Sequence, residues 1–370
     1  MSEKVNPDFI NTLKKLGAFD INACYSCGNC TAICPLSNEK YSFPRSLIRY
    51  SILGLEKRIL KSPDIWLCYY CGECSDTCPR EADPGGLMMS LRRYVIRKYS
   101  LGKIADIFYS KFSSLITWLF LTIAAIVGVI IFHNPHPNLE KAEPLSFITL
   151  NFLHDAGIIL GIFIGFFAFI HIFIMAKNVD GEWLKNNPII WGRTFFNTLF
   201  REIFIQNKFN ECTEKMRYIS HLALFWGFAG LFLATILVFG VDFFGFPENF
   251  RIVAKILGLI TGVALVYGSG YYIFKRIFIK DSYSKYSHFT DWIFIFLLFF
   301  SGLTGFFLDI FKWLNLPWPT YITFAIHLVI VFDLLISAPF TKFAHAIYRP
   351  LAIWFTEMGE KVGSVKGEKT

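Results

Sequence analysis

Charged residues are scarce in this chain of 370 residues: they make up 17% of it, while 54% of the residues are hydrophobic. Soluble domains average about a quarter charged residues, so this balance argues against an ordinary soluble protein and indicates the lipid bilayer. The formal net charge is +8, but the basic residues lie mostly in the loops between apolar runs. We interpret them as topology signals, and we predict no nucleic-acid binding.

Two further signatures are missing. The first residues contain no apolar core of a signal peptide, so we expect the cysteines to stay on the reducing side of the membrane. There, clustered thiols indicate metal ligands rather than disulfides. No Gly-x-Gly-x-x-Gly follows a strand pattern, which argues against a dinucleotide or flavin site.

Long apolar runs dominate the chain after about residue 105, whereas the part before it is polar, Cys-rich and interrupted by Pro and Gly. Each run is long enough to cross a bilayer as a helix, and so many runs with so few charges disfavour buried helices of a soluble protein. We place the six runs at 113–132, 157–176, 219–241, 254–274, 289–309 and 320–341.

The sequence thus predicts a mainly α-helical protein of three parts. These are a Cys-rich domain at 1–105, a membrane domain of six helices at 106–348 and a tail at 349–370. Basic residues concentrate before the first, third and fifth runs and after the sixth, while the alternate loops carry only Lys141, Arg251 and Lys312. The positive-inside rule then predicts a multi-pass protein of the inner (cytoplasmic) membrane, with both termini in the cytoplasm.

One cysteine pattern, C-x2-C-x2-C-x3-C-P, occurs twice. The first run is Cys24, Cys27, Cys30, Cys34 and Pro35, and the second is Cys68, Cys71, Cys74, Cys78 and Pro79. This is the bacterial ferredoxin run for [4Fe–4S] clusters, in which three thiolates of a run bind one cluster and the fourth binds the other. We therefore predict an α-helical ferredoxin-like domain. One cluster is assigned to Cys24, Cys27, Cys30 and Cys78, and the second to Cys68, Cys71, Cys74 and Cys34.

The alternative for these cysteines is a pair of structural zinc sites. Such sites usually use two C-x2-C pairs separated by a longer loop, which these runs do not resemble. A ninth cysteine, Cys212, stands alone in a loop and is interpreted as an ordinary thiol.

Histidines are the candidate haem ligands of the membrane domain. His327 and His345 lie 18 residues apart (345 − 327), which on one helix is five turns and a rise of about 27 Å. Such a helix offers one axial ligand at each side of the bilayer, and bis-His ligation suits haem b. The candidate partners are His171, His221 and His288 on the cytoplasmic side and His154, His133 and His136 on the far side.

Two segments, SHLALFWGFAGL (220–231) and AIHLVIVFDLLISAPFTKFAH (325–345), resemble the haem-b subunit of respiratory nitrate reductase and its relatives, which include the membrane subunit of methanogen heterodisulfide reductase. The resemblance implies that His221 pairs with His345 at the haem nearest the cytoplasm and that His327 binds the distal haem. The family's distal partner lies ten residues after His221, where this chain has Leu231. We predict His154 as the replacement; a missing distal haem is the alternative.

The Cys-rich half resembles the small iron–sulfur subunit of heterodisulfide reductase. Its fusion to six membrane helices resembles the C subunits of quinone-interacting membrane-bound oxidoreductase (Qmo) complexes over nearly the whole chain. The resemblance implies two [4Fe–4S] clusters, haem b (two haems), menaquinone as substrate, flavin-containing partner subunits and a link to adenylylsulfate reductase in sulfate respiration. It implies an oxidoreductase subunit that is not catalytic without its partners.

Two other functions stay open. The chain has no Cys-Cys-Gly repeat, so it is not expected to reduce a disulfide itself. A membrane anchor of a heterodisulfide-reductase-type complex, which would use the same residues, is the alternative. A transporter with regulatory clusters is disfavoured because charges are scarce inside the apolar runs.

Three charged residues are candidates for a quinone or proton site. Asp333 lies near the middle of the sixth run, where a carboxylate is costly and either relays a proton or holds a buried polar contact. Arg251 and Lys255 begin the fourth run on the far side. They are candidates to bond a quinone carbonyl, and the alternative is that they are interface cations whose stems lie along apolar surface.

Overall fold

The computed structural model describes residues 4–37, 42–132, 137–179, 188–210, 214–285 and 287–367. Cys212, His133 and His136 lie outside the described residues. The described part is built from helices and contains no β-strand, which confirms the mainly α-helical class.

The Cys-rich domain consists of seven short helices around a buried apolar core. They are α1 (Phe9–Lys15), α2 (Asn29–Ile33), α3 (Arg45–Ile52), α4 (Glu56–Lys61), α5 (Glu73–Asp76), α6 (Pro84–Tyr99) and α7 (Asp106–Tyr109). Single 3₁₀ turns occur at Ile21–Ala23, Pro63–Trp66 and Leu101–Lys103. The longest helix, α6, starts at Pro84 and is capped by the Asp83 carboxylate, which accepts a 3.0 Å bond from the Gly86 amide.

Six further helices are long and apolar enough to cross a membrane, as predicted. They are α8 (Phe112–Phe132), α10 (Leu150–Asn178), α13 (Lys215–Phe244), α14 (Asn249–Phe274, extended by a π turn to Ile279), α16 (Phe289–Trp313) and α17 (Pro317–Ser337). Most of their ends extend the predicted runs by several residues, because turns that leave the apolar zone stay helical; α17 instead ends at Ser337, before the predicted end at residue 341. We call the ends nearest the Cys-rich domain the domain side and the opposite ends the far side.

Four short helices and one long C-terminal helix complete the described part of the chain. They are α9 (Pro144–Phe147), α11 (Pro188–Thr198, followed by a π turn at Leu199–Phe204), α12 (Asn207–Asn210), α15 (Ser282–Lys285) and α18 (His345–Gly367). Helix α11 is amphipathic: Thr194 and Thr198 are buried, while Phe195 and Phe196 are exposed. This pattern fits a helix that lies along a membrane surface.

Helices α13 and α14 pack unusually closely because glycines face the opposite backbone. A Cβ atom added at Gly268 would lie 2.6 Å from the Ser220 carbonyl oxygen, and one added at Gly227 would lie 2.6 Å from the Leu265 nitrogen. Such small-residue crossings are typical of membrane helices, where close backbone contact replaces the hydrophobic driving force. The contact at Gly268 positions the turn of α13 that carries His221.

The last membrane helix ends earlier than the histidine spacing requires. Helix α17 stops at Ser337, the chain passes through 3₁₀ turns at Ala338–Phe340 and Lys342–Ala344, and His345 opens α18. Pro339 explains the break, since it cannot donate a helical hydrogen bond and disfavours the helical conformation before it. The prediction that His327 and His345 share one helix face is therefore wrong.

The first part of the segment expected as a tail belongs to the core. Helix α18 crosses the predicted boundary at 348, and Tyr348, Ala352 and Phe355 are buried in the same apolar cluster as α1 and α6. Tyr348 stacks on Trp66 of the Cys-rich domain with ring centres 4.7 Å apart. The C-terminal helix thus connects the Cys-rich domain to the membrane domain.

A buried ion-pair cluster also joins the two domains. Asp291 on α16 accepts from Arg93 on α6 and lies 3.1 Å from the Lys342 ammonium. Arg93 and Asp291 are 7% and 6% exposed, and Arg93 also donates to the Leu16 carbonyl at 2.7 Å. A buried carboxylate between two cations is favourable only while all partners stay in place, so the cluster fixes how the domains dock.

Candidate metal centres

The eight clustered cysteines surround two cavities. One cavity is lined by Cys24, Cys27, Cys30 and Cys78, and the other by Cys34, Cys68, Cys71 and Cys74. Each cavity therefore takes three cysteines from one run and the last cysteine from the other run. This is the grouping expected for two clusters with crosswise ligation.

The two cysteine runs share one backbone conformation. Ser26 and Tyr70, two residues after the first cysteine of each run, have positive φ angles of 56° and 54°. Gly28 and Gly72, which follow the second cysteine of each run, have φ angles of 91° and 95°. This left-handed geometry turns successive amides toward the cavity, as in other anion-binding loops.

Backbone amides also bond directly to cysteine sulfurs. The Ser26 and Tyr70 amides lie 3.4 and 3.3 Å from the Sγ atoms of Cys24 and Cys68, and the Ala82 amide lies 3.4 Å from Cys78 Sγ. Such bonds favour the thiolate and tune the reduction potential of a bound cluster. The residues present thus fit iron–sulfur clusters.

The cavities differ in their surroundings. Cys27 in the first cavity is exposed, whereas Cys68 in the second is 8% exposed and Lys208 of α12 lines that cavity. Burial raises the pKa of Cys34 to about 12, so only a bound metal would keep this thiol deprotonated at neutral pH. All residues that line the first cavity belong to the Cys-rich domain, whereas the second cavity also contacts Lys208.

No three His, Cys, Asp or Glu side chains of the described residues converge in the way that one metal ion requires. A [4Fe–4S] cube does not require such convergence, because its four thiolates bond four different irons.

Two histidines meet at the domain side of the membrane domain. The rings of His221 on α13 and His345 at the start of α18 have their centres 6.4 Å apart, at an angle of 61°. Two metal–nitrogen bonds of about 2 Å each, plus about 1 Å from each nitrogen to its ring centre, add to about 6 Å. The spacing therefore fits two axial ligands of one iron.

Hydrogen bonds orient both rings. His221 Nδ1 lies 2.7 Å from Gln206 Oε1, and His345 Nδ1 lies 2.6 Å from the Lys342 carbonyl oxygen. Both partners are acceptors, so each Nδ1 donates its proton and each Nε2 keeps a lone pair for a metal. Burial lowers the pKa of His345 to about 4, which keeps this ring neutral.

Two arginines connect this histidine pair to the second cysteine cavity. Arg217, one turn before His221, donates to the Tyr69 carbonyl at 3.2 Å. Arg349, one turn after His345, donates to the Cys68 carbonyl at 3.1 Å and lies over the Tyr69 ring. The loop that starts the second cysteine run is thus held by both helices that carry the pair.

His327 has the same tautomer as His221 and His345. Its Nδ1 lies 2.8 Å from the Thr304 hydroxyl, which donates to the Phe300 carbonyl at 2.6 Å. The hydroxyl therefore accepts from Nδ1, and Nε2 of His327 keeps its lone pair.

His154 contacts a different helix. Its ring packs on Phe239, and its Nε2 lies 3.6 Å from Asp242 Oδ2, both on α13. No ring contact joins His154 to His327 in the described part of the chain, so the distal pairing stays a prediction. Arg251 bonds the same Asp242 at 2.5 Å, and Lys255 is exposed. Arg251 thus takes part in an ion pair with Asp242, and whether it binds a quinone stays a prediction.

The remaining described histidines have other neighbours. His171 is fully buried and stacks on Tyr348 with ring centres 5.7 Å apart, and neither of its nitrogens has a hydrogen-bond partner. His288 caps α16 through Thr290. Of the three domain-side candidates, the structure brings only His221 to His345.

Asp333 is 2% exposed, and its Oδ1 atom has no hydrogen-bond partner. It lines a cleft between α8, α16 and α17 together with Trp118, Ser337 and Thr341. The sequence singled out Asp333 but gave no sign of this cleft, because three separate helices form it.

Comparisons with known proteins locate similarity mainly in the Cys-rich domain. The family model for a 4Fe-4S dicluster domain matches residues 20–82. The C-type iron–sulfur subunit of the CoB–CoM heterodisulfide reductase of Methanopyrus kandleri is 33% identical over 72 residues, which cover 17% of this chain and 38% of that protein. A protein of Archaeoglobus profundus that is named for its likeness to the same heterodisulfide reductase subunit is 36% identical over 94 residues, 25% of this chain and 50% of that protein.

A third relative extends the similarity. Citrate utilization protein B of Escherichia coli is 30% identical over 149 residues, 39% of this chain and 38% of that protein. This stretch is longer than the part of the chain that precedes α8, so the similarity extends into the region of the membrane helices. The chain spans half or less of the length of these curated relatives, and no solved structure matches it.

The N-terminal part is thus a 4Fe-4S dicluster domain similar to the iron–sulfur subunits of heterodisulfide reductases, and its eight cysteines supply two [4Fe–4S] clusters. It is joined to six helices that are long and apolar enough to cross a membrane.

Proposed function

We propose that this protein exchanges electrons between menaquinone in the membrane and partner subunits, through haem b and two [4Fe–4S] clusters. The observation that carries the proposal is the pairing of His221 and His345 beside the second cysteine cavity. The same two helices hold a ligand pair in the membrane domain and a cluster site in the Cys-rich domain. This arrangement suits a path for single electrons.

In this proposal His221 and His345 bind haem b through their Nε2 atoms, and the haem supplies one-electron redox chemistry when bound. Gln206 and the Lys342 carbonyl hold the two rings in the ligating tautomer. Arg217 and Arg349 keep the second cysteine loop close to this pair and place positive charge beside its carbonyl groups.

The clusters are held crosswise in the proposal, by the two cysteine sets that line the two cavities. Arg217 and Arg349 contact the loop of the second site, whereas only residues of the Cys-rich domain line the first. Electrons would therefore leave or enter through the first site, near the exposed Cys27.

A second haem is the weaker part of the proposal. His327 is oriented as a ligand by Thr304, but His154 contacts Asp242 on α13. Binding a second haem between His327 and His154 requires the His154 ring to leave this carboxylate. One haem per chain is the alternative.

The partners are proposed from the relatives. Several relatives are named as subunits of heterodisulfide reductases, so this chain suits a complex with further subunits. We propose flavin-containing partners, with adenylylsulfate reductase as the final acceptor, on the cytoplasmic side of the inner membrane where both termini would lie. An anchor of a heterodisulfide-reductase-type complex is the alternative, and a partner that carries a Cys-Cys-Gly repeat would favour it.

Reduced-minus-oxidised difference spectroscopy with haem quantitation tests the membrane half of the proposal. The purified protein is reduced with a menaquinol analogue and then with dithionite. We expect b-type haem that the quinol reduces and that His345→Gln loses, whereas His288→Gln, a matched change at a buried domain-side histidine outside the pair, retains it.

His154→Gln separates one haem from two. Two haems that fall to one in this variant support the distal pairing, while one haem in both proteins assigns it to His221 and His345 alone. Absence of haem from the wild-type protein would refute the exchange with quinone and leave a membrane-anchored dicluster domain.

A further inference from the structure

Two arginines from different helices meet at one carbonyl oxygen beside the second cysteine cavity. Arg92 on α6 donates to the Cys68 carbonyl, and Arg349 on α18 donates to the same oxygen at 3.1 Å. Cys68 is the first cysteine of the second run, and it lines the second cavity. Two positive charges are thus held at the peptide group of a cysteine that lines a cluster site.

Neither arginine forms an ion pair with an acidic side chain in the described part of the chain. Arg92 also donates to the Ile65 and Trp66 carbonyls, at 3.0 and 3.1 Å. Arg349 lies over the Tyr69 ring at 3.9 Å, and its Nη2 atom is buried without a hydrogen-bond partner. Two like charges that share one acceptor are costly unless an anion lies close to them.

The anion that fits this position is the iron–sulfur cluster itself. A [4Fe–4S] core bound by four thiolates carries net negative charge, and its reduction potential depends on that charge and on its surroundings. Reduction adds one electron, which comes from the proposed haem or from a partner subunit, and it breaks no bond. Because arginine stays protonated, no proton accompanies the electron. Cations beside the site therefore favour the reduced cluster over the oxidised one.

The described residues of the first site do not repeat this arrangement. Arg45 and Arg80 line the first cavity, but Arg80 is exposed and lies over the exposed ring of Tyr25, at 4.3 Å. No side-chain hydrogen bond joins either arginine to a carbonyl of the described cysteine runs. Water screens the charge of an exposed arginine, whereas the Nη2 atom of Arg349 is shielded from it. The two sites therefore differ in how strongly positive charge acts on them.

We propose that Arg92 and Arg349 raise the reduction potential of the second cluster by stabilising its reduced state. They act through the Cys68 peptide group and through space, so they are positioning residues. The cluster that they favour for reduction is the one whose loop is held by the helices of the histidine pair. This inference deepens the proposed electron path, but it requires only the two clusters and does not fail if the protein binds no haem.

A redox titration monitored by EPR, on the full chain in lipid nanodiscs, tests the assignment. Dithionite and mediators set the potential, and the midpoint potential of each cluster is measured. A unit charge within about 10 Å, at an effective dielectric constant of about 20, shifts a one-electron equilibrium roughly tenfold. We therefore expect Arg349→Gln to lower one of the two midpoint potentials by about 59 mV, which corresponds to that tenfold change, and to leave the other in place.

Three further variants separate the charge from the structural contact. Arg349→Lys keeps the charge and should keep the wild-type potential. Arg92→Gln should lower the same potential that Arg349→Gln lowers. Arg80→Gln, the matched change at the exposed arginine of the first cavity, should not lower that potential.

Unchanged potentials in Arg349→Gln and Arg92→Gln, at full iron and sulfide content, would overturn the inference. An equal fall of the potential in Arg349→Gln and Arg349→Lys, or loss of cluster iron from both, would assign Arg349 a structural role and would also overturn it. Loss of iron from Arg349→Gln alone, with the wild-type potential kept in Arg349→Lys, supports the need for the charge. Haem content and reduction by quinol are measured separately, so a failure of the proposed function appears as missing haem while the cluster potentials still shift.

Discussion

Removing the Asp291 carboxylate should weaken the docking of the dicluster domain on the membrane domain. Asp291→Asn keeps the size of the side chain but removes the negative charge that Arg93 and Lys342 share. Two cations then remain close together in a buried site. Arg93 keeps its bond to the Leu16 carbonyl, so one of its contacts survives.

The burial of the cluster determines the expected size of the effect. Arg93 and Asp291 have side chains only 8% and 7% exposed, so water cannot replace the lost partner. Breaking such a buried pair from one side costs about 3–5 kcal/mol of folding free energy. A matched control is Glu143→Gln at the pair Lys141–Glu143, where the side chains are 72% and 48% exposed and the expected cost is about 0–1 kcal/mol.

Unfolding by SDS titration in bicelles measures both free energies, and limited trypsin digestion reports release of the N-terminal domain. We expect Asp291→Asn to unfold at lower SDS and to release this domain faster than Glu143→Gln. Arg93→Met combined with Asp291→Leu should recover part of the loss, since a matched apolar pair often replaces a buried ion pair. Equal effects of Asp291→Asn and Glu143→Gln would refute the idea that this cluster locks the domains together.

Two further predictions concern the cofactor sites. Crosswise ligation predicts that the double variant Cys24→Ser/Cys78→Ser damages one cluster, whereas Cys24→Ser/Cys34→Ser damages both. Quantitation of iron and of EPR spins measures the number of clusters left in each variant. The reverse result would assign each cysteine run to its own cluster. Gly268→Leu should separate α13 from α14, because a Cβ atom there would lie 2.6 Å from the Ser220 carbonyl oxygen. We expect this variant to lose about 1–3 kcal/mol of folding free energy and to bind less haem. Unchanged haem content and unchanged SDS unfolding would contradict this reasoning.

Local sequence patterns were sufficient to predict the membrane helices and the chemistry of the cysteine runs. The six membrane helices follow from apolar length alone, because a bilayer leaves few alternatives for such runs. The cysteine spacing predicts its chemistry because three of the four ligands of a cluster lie within one short turn. The C-terminal segment was interpreted incorrectly as a tail, although its buried Ala352 and Phe355 are apolar residues that favour a packed helix.

Histidine assignment required the three-dimensional structure. Helical phase wrongly placed His327 and His345 on one face, since Pro339 ends the helix between them. A proline close to the end of an apolar run was a readable signal of this break. The acceptors that orient His221 and His345 lie on other turns of the chain, and no sequence spacing reveals them.

By itself the sequence determined what depends on neighbouring residues: six apolar helices, two cysteine runs and a polar N-terminal domain. The tertiary structure decided which groups meet across long sequence separations. It brings His221 to His345, gives Asp242 to both His154 and Arg251, docks Arg93 on Asp291 and encloses Asp333 in a cleft. These contacts depend on how helices pack against one another, and that packing is determined by glycine crossings and buried charges from distant parts of the chain.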